Sequence, residues 1–198
     1  LMNVNGQILT GIRILDFTWV LAGPYATRLL ADYGAEVIKV QPVTTPREAE
    51  PFDRAYYAAW NRNKLSITLN MNAPEGLRLA KQLVAVSDVV IENFTPRVME
   101  NWGMNYPVLK ELKPDIIMVS MSAYGRSGPY RDRAGFAPTV HAASGLTAMT
   151  LPANGEPVGP GFSWADHIAG LFAANAILGA LEKREADGEG SYIDLAEV

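Results

Sequence analysis

The chain has 198 residues, 48% of them apolar and 19% charged, with a formal net charge of −4. That balance supports a folded core of one or two domains and excludes a disordered chain. The acidic sign argues against a protein that grips nucleic-acid phosphates, and the absence of cysteine excludes disulfides, thiolate zinc sites and a cysteine nucleophile.

No unbroken apolar run reaches the roughly 18 residues that a bilayer demands, so no membrane span is expected. No basic patch followed by an apolar stretch marks a secretory leader. A cytoplasmic location is the resulting expectation. Both ends look cut. Leu1 precedes Met2, and Gly190 to Val198 alternates like a strand and stops without a cap or polar tail. A piece of a longer polypeptide is expected; an appended residue at the front and a short native tail at the back are the plain alternative.

Strands alternate with helices along the chain. Ile12 to Phe17 reads as a buried strand. Gly23-Pro24 opens a helix that runs to about Tyr33 and ends at Gly34. Glu36 to Val40 is a second strand. Residues 41–63 form a long loop with a short helix around Tyr56 to Trp60; loops of that length are usually functional. Leu65 to Leu69 alternates like a strand, and Pro74 opens an amphipathic helix to about Ser87. Asp88 to Glu92 is the next strand. Short helices are predicted at Pro96–Trp102 and Pro107–Leu112, then a strand over Asp115–Ser120. A Gly/Pro-rich loop runs from Gly125 to Gly135. A helix over Ala137–Ser144, a second loop over Leu151–Gly161 and a long apolar helix from Trp164 to about Ala186 complete the order.

This alternation predicts an α/β, Rossmann-like, mostly parallel sheet with helices on both faces. Such sheets bind ligands beyond the carboxyl ends of their strands. The segments to watch are therefore Thr18–Pro24, Gln41 onward, Asn70–Asn72, Asn93–Arg97 and Ala123–Gly128.

Common site motifs are missing. Only Ala22-Gly23-Pro24 stands where a dinucleotide fold places G-x-G-x-x-G, no Gly-Lys pair supports a phosphate loop, and no G-x-S-x-G occurs. Two histidines, His141 and His167, are too few for a histidine metal site, and no metal is expected. Catalysis must rest on carboxylates, hydroxyls, Lys, Arg or one of these histidines.

Asp166 stands out because it follows Gly159-Pro160-Gly161 and opens the long helix. The positive end of the helix dipole favours its ionised form, which a nucleophile needs. Ser163 three residues earlier also fits a capping box with Asp166 at its third position, and capping is the commoner use of such a residue. His141 and His167 read as structural or solvent-facing. Gly170 and Gly179, with Ala169, Ala173, Ala174 and Ala180, make a small-residue face that suits a closely packed partner helix or a subunit contact.

Five segments in register resemble the class III CoA-transferases, the CaiB/BaiF family. They are Gly11–Thr18 with Ala22-Gly23-Pro24 and Leu30–Val40; Asn63–Asn70; Asp88–Arg97 with its E-N-F; Tyr124–Pro129 with its G-x-x-G-P; and Asp166–Gly170 with its D-x-x-x-G. The match covers nearly the whole chain. It implies that residues 1–198 are the N-terminal part of a large CoA-transferase domain, in a fold whose full-length chains pair as interlocked rings. The family's catalytic aspartate falls on Asp166, which reverses the preference for capping.

The resemblance further implies CoA transfer from an acyl-CoA donor to a small carboxylic acid through an aspartyl-CoA thioester on Asp166. Coenzyme A enters as acyl-CoA substrate. Its contacts, carried over by position, fall on Val20, Leu21 and Ala22; on Leu69, Asn70, Met71 and Asn72; on Asn93, Phe94 and Thr95, with Arg97 as a phosphate ligand; and on Gly135, Phe136 and Ala137. Three departures stand against the family pattern: Gln41-Pro42 where many members carry an acidic then a basic residue, Asn72 and Asn101 where some carry a basic one, and Phe136 where the racemase branch carries histidine. An acyl-CoA racemase needs an acid/base there, which Phe136 cannot supply. Transfer is thus preferred to racemisation, and an inactive CoA-binding or assembly fragment is the non-enzymatic alternative.

Overall fold

The computed structural model describes residues 7–43, 51–153 and 155–198. Its elements in order are β1 (Arg13–Asp16), α1 (Ala22–Asp32), β2 (Glu36–Gln41), α2 (Pro51–Asn61), β3 (Leu65–Thr68), α3 (Pro74–Ala85), β4 (Val89–Glu92), α4 (Pro96–Asn101), α5 (Tyr106–Leu112), β5 (Ile117–Ser122), α6 (Ala137–Ala143), α7 (Leu146–Met149), α8 (Trp164–Asp187) and β6 (Ser191–Ala196). The six strands form one sheet in the order β3-β2-β1-β4-β5-β6, and every pairing is parallel. The α/β, parallel-sheet expectation holds.

Burial follows position in the sheet. The β4 and β5 strands are buried at every residue, as strands covered on both faces must be. Edge strand β3 is largely exposed. Period-2 alternation splits the strand side chains between two cores. Ile14, Val89, Ile91, Val119 and Met121 pack with α1 and α8 on one face. Leu15, Val40, Val90 and Met118 pack with α3, α4 and α5 on the other. The small-residue face of α8 meets α1 there. A Cβ on Gly170 would lie 2.8 Å from both Ala22 O and Tyr25 Cδ1, so the two helices approach as only glycine allows. Gly179 has no such neighbour.

The structure departs from the sequence reading in several places. The helix around Tyr56–Trp60 extends back to Pro51, and residues 44–50 of the expected long loop lie outside the described residues. Strand β5 begins and ends two residues later than predicted, because Asp115 pairs with Lys113 and Ile116 closes a turn onto Lys113 O before the ladder starts. The short helix α7 stands where no element was expected. Finally, α8 is long and apolar enough by length and composition to cross a bilayer, although Asp166, His167 and Asn175 interrupt any apolar run. Its buried face packs on α1 and the sheet as a core helix does. Ile168, Leu171 and Phe172 on another face are exposed.

Candidate active site

Strand order reverses between β1 and β4: β2 and β3 extend the sheet to one side, β5 and β6 to the other. The carboxyl ends of β1 and β4 thus flank the crevice where open α/β sheets bind ligands. Asn93, just after β4, ties the two sides together. Its Oδ1 accepts from Trp19 N–H (2.7 Å) and its Nδ2 donates to Trp19 O (2.9 Å). Trp19 also meets the Phe94 ring edge-on at 6.1 Å. Between them the chain passes through Val20 at φ 63°, a conformation costly to a β-branched residue and typical of ligand-contacting turns.

A buried charge cluster anchors the end of β1. Asp16 is fully buried and takes Lys39 Nζ on Oδ1 (3.2 Å) and Lys64 Nζ on Oδ2 (3.1 Å). Thr18 and Thr27 hydroxyls donate to it at 2.6 and 2.7 Å. Burial alone would raise the Asp16 pKa, but the two lysines and then the two hydroxyls override it and hold it below the usual carboxylate range. Lys64 also donates to Pro24 O (3.0 Å) and Asn61 Oδ1 (2.9 Å), joining β3 to the start of α1 and the end of α2. Burial brings this lysine down to about 8.

Beside the crevice lies a cavity of about 220 Å³, lined in part by Trp19, Val20, Asn93, Phe94, Thr95 and Asp166. Asp166 sits in the first turn of α8 and is 9% exposed. Its Oδ2 has no hydrogen-bond partner among the described residues. Ser163, at the N-cap, makes no side-chain cap bond, so the capping box does not form. Burial pushes the Asp166 pKa up, against its own backbone N–H, His167, His141 and the backbone of Ala22. Burial thus outweighs the groups that favour its ionised form. The two histidines are structural. His141 is buried, and its Nε2 accepts from Ala165 N–H (3.1 Å). His167 stacks on Phe162 with ring centres 4.4 Å apart, while Tyr25 and Trp60 flank it at 5.1 and 5.3 Å.

The structure brings only some of the sequence-predicted site residues together. Val20, Asn93, Phe94, Thr95, Gly135, Phe136 and Asp166 line the one cavity. Leu21, Ala22 and Ala137 are buried at helix starts behind it. Gly135 is held against Ala123, where an added Cβ would lie 2.4 Å from the alanine Cβ. Phe136 is 65% exposed and carries no proton-transfer group. Leu69 and Met71 are core residues of the opposite face; Asn70 and Asn72 form a local turn in which Asn70 Oδ1 accepts from Asn72 N–H (3.1 Å). These four do not line the Asp166 cavity. Nor does Arg97, which pairs in two-pronged fashion with Asp132 at 3.2 and 3.3 Å beside a separate cavity of about 390 Å³.

Sequence reasoning missed Ser122, Arg133 and Glu197, which also line the Asp166 cavity. A correct end for β5 would have drawn attention to Ser122. Arg133 lies in a loop without periodicity, and Glu197 reaches the cavity through strand pairing that one sequence does not show. Tyr56 is a further neighbour: burial and then the Asp166 charge raise its phenol pKa. Among the described residues no group of three or more His, Asp or Glu side chains is placed to hold a metal.

The sequence profile of CoA-transferase family III matches residues 9–198. The chain is 46% identical to an acyl-CoA transferase of Fusarium pseudograminearum, over 94% of this chain and 44% of that protein. It is 42% identical to the succinyl-CoA–L-malate CoA-transferase beta subunit of Chloroflexus aurantiacus, over 95% of this chain and 48% of that protein. The crystal structure of a CaiB/BaiF family protein from Brucella suis superposes with a TM-score of 0.92 at 35% identity, over 97% of this chain and 53% of that one. The chain thus spans about half the length of the relatives it matches. With the profile covering nearly every residue and the fold shared with a solved member, the chain belongs to CoA-transferase family III.

Proposed function

We propose that the full-length protein moves CoA from an acyl-CoA donor to a small carboxylic acid, with Asp166 as the nucleophile. The observation that carries this reading is a buried Asp166 carboxylate with an unpartnered oxygen on the wall of a cavity at the switch point. A buried carboxylate oxygen left without a partner costs stability, so its retention there points to another use. Weak hydration of its charged form suits attack on a carbonyl carbon.

The steps balance without an added reagent. The Asp166 carboxylate oxygen attacks the thioester carbonyl, the C–S bond breaks, and CoA leaves as thiolate from a mixed anhydride. The thiolate attacks the Asp166 acyl carbon, which releases the donor carboxylate and leaves an aspartyl-CoA thioester. An acceptor carboxylate attacks that thioester, the C–S bond breaks, and CoA leaves again as thiolate from a second anhydride between the acceptor and Asp166. Thiolate attack on the acceptor carbonyl then yields the new acyl-CoA and restores Asp166. Asn93, Phe94 and Thr95 on one side and Val20 on the other suit contacts with the CoA arm, while Gly135 and Phe136 face the reacting end.

Succinyl-CoA and L-malate, named for the Chloroflexus relative, are the first donor and acceptor to try. Phe136 disfavours racemisation because it cannot exchange a proton. Pairing of two full-length chains into an interlocked dimer belongs to the same reading. The test is steady-state transfer by the full-length protein and its Asp166→Ala variant. Transfer by the wild type and a loss of at least about 10³-fold in the variant support the assignment; full activity in the variant overturns it.

A further inference from the structure

The Asp166 cavity holds a second carboxylate. Glu197 follows β6, which runs beside β5 with Ala196 opposite Ser122. Its N–H donates to Ser122 O at 3.1 Å, and this pairing fixes it on the cavity wall with Asp166. Burial and then the Asp166 charge push Glu197 up to about 7. The remaining charged residue of that wall, Arg133, stacks its guanidinium over Tyr130 at 4.3 Å. His141 and His167 act on Asp166 from α6 and α8. Two side-chain oxygens in the lining, Ser122 Oγ and Asp166 Oδ2, are buried without partners, and both residues are more than nine-tenths buried. The cavity is thus a polar site with unsatisfied groups rather than a packing gap.

When the acceptor enters, Asp166 is held as its CoA thioester, so the incoming carboxylate and Glu197 are the two carboxyl groups in one partly desolvated cavity, and like charges at short range raise one another's pKa values. The acceptor must be ionised in order to attack that thioester. Glu197 is the acid left to hold a proton. Resting on the transfer reading above, we propose that Glu197 is a positioning residue for the acceptor: its protonated carboxyl donates a hydrogen bond to the incoming carboxylate, and its ionised form repels it. Small carboxylic acids, dicarboxylates included, are the class of ligand this fits.

The test is the pH dependence of the full-length wild-type enzyme with succinyl-CoA as donor and L-malate as acceptor. The acceptor KM rises about tenfold or more between about pH 6.5 and 8.5, as a single required proton lost near neutrality dictates. Acceptor ionisation is complete across that range, and kcat changes far less than KM. In Glu197→Gln, a neutral donor of similar shape, the acceptor KM stays low and loses its dependence on pH. A wild-type acceptor KM that stays flat while transfer proceeds overturns the role of Glu197 and leaves the transfer reading standing. Glu197→Gln with the same pH slope as wild type has the same consequence. Absence of transfer from succinyl-CoA by the wild type to both L-malate and isotope-labelled succinate overturns both. The wild-type profile decides the matter even where the variant fails to fold.

Discussion

Asn93 spans the crevice by holding both backbone groups of Trp19, accepting from its N–H at 2.7 Å and donating to its carbonyl at 2.9 Å. Loops at the carboxyl ends of two adjacent strands are thereby locked as one wall. Asn93→Ala removes both bonds at a half-buried position and is expected to cost about 1–2 kcal/mol of stability. Because Trp19 and Val20 then lose their register, the KM for acyl-CoA rises more than kcat falls. Denaturant unfolding and steady-state kinetics on the full-length protein check the two effects separately.

The Asp16 cluster stabilises the base of the same wall. Removing one member of a buried ion pair strands the others, so Asp16→Ala is expected to cost about 3–5 kcal/mol. The pH dependence has a definite sign. Asp16 has its pKa lowered by folding, so its contribution is present above the ordinary Asp value near about 4 and is lost as pH falls through the folded value. Acid unfolding followed by circular dichroism is therefore steeper in the wild type than in Asp16→Asn.

Asp166 has the opposite sign. Burial raises its pKa, so the folded state binds the proton more tightly than the unfolded chain, and stability falls as pH rises through that window. Asp166→Asn is expected to leave Tm at neutral pH unchanged or higher. A helix cap would behave differently, with a loss of about 1 kcal/mol. Thermal melts at acidic and neutral pH separate the two roles without an activity assay.

Val20 occupies the left-handed region at φ 63°, a strained conformation worth about 1–3 kcal/mol. Val20→Gly relieves that strain and is expected to hold or raise Tm. It also loosens the turn against the ligand, and the KM for acyl-CoA increases. A fall in Tm with unchanged KM contradicts the placement of Val20 as a tensioned contact.

The sheet was legible because Val89-Val90-Ile91 and Ile116 to Val119 are unbroken apolar runs and α3, α4 and α5 carry Pro at their starts. The end of β5 was not, since Asp115-Ile116 has strand-like composition but is spent on a turn closed by Lys113. Asp166 was legible as a carboxylate at a helix start; that it is buried rather than capping depends on the packing of α8 against α1. Lys39 and Lys64 gave no signal, because lysines in or just before strands usually face solvent, and here both turn inward to one buried aspartate. Arg97 follows the E-N-F segment in sequence, and the turn of α4 aims it at Asp132 beside a separate cavity rather than at Asp166.

The most direct measurement is mass spectrometry of the full-length protein incubated with succinyl-CoA, followed by borohydride reduction and peptide mapping. A covalent modification confined to the peptide containing Asp166, and absent from Asp166→Asn, is the predicted result. Turnover with no modification of that peptide, or with the modification on another carboxylate, would contradict the assignment of Asp166 as the nucleophile.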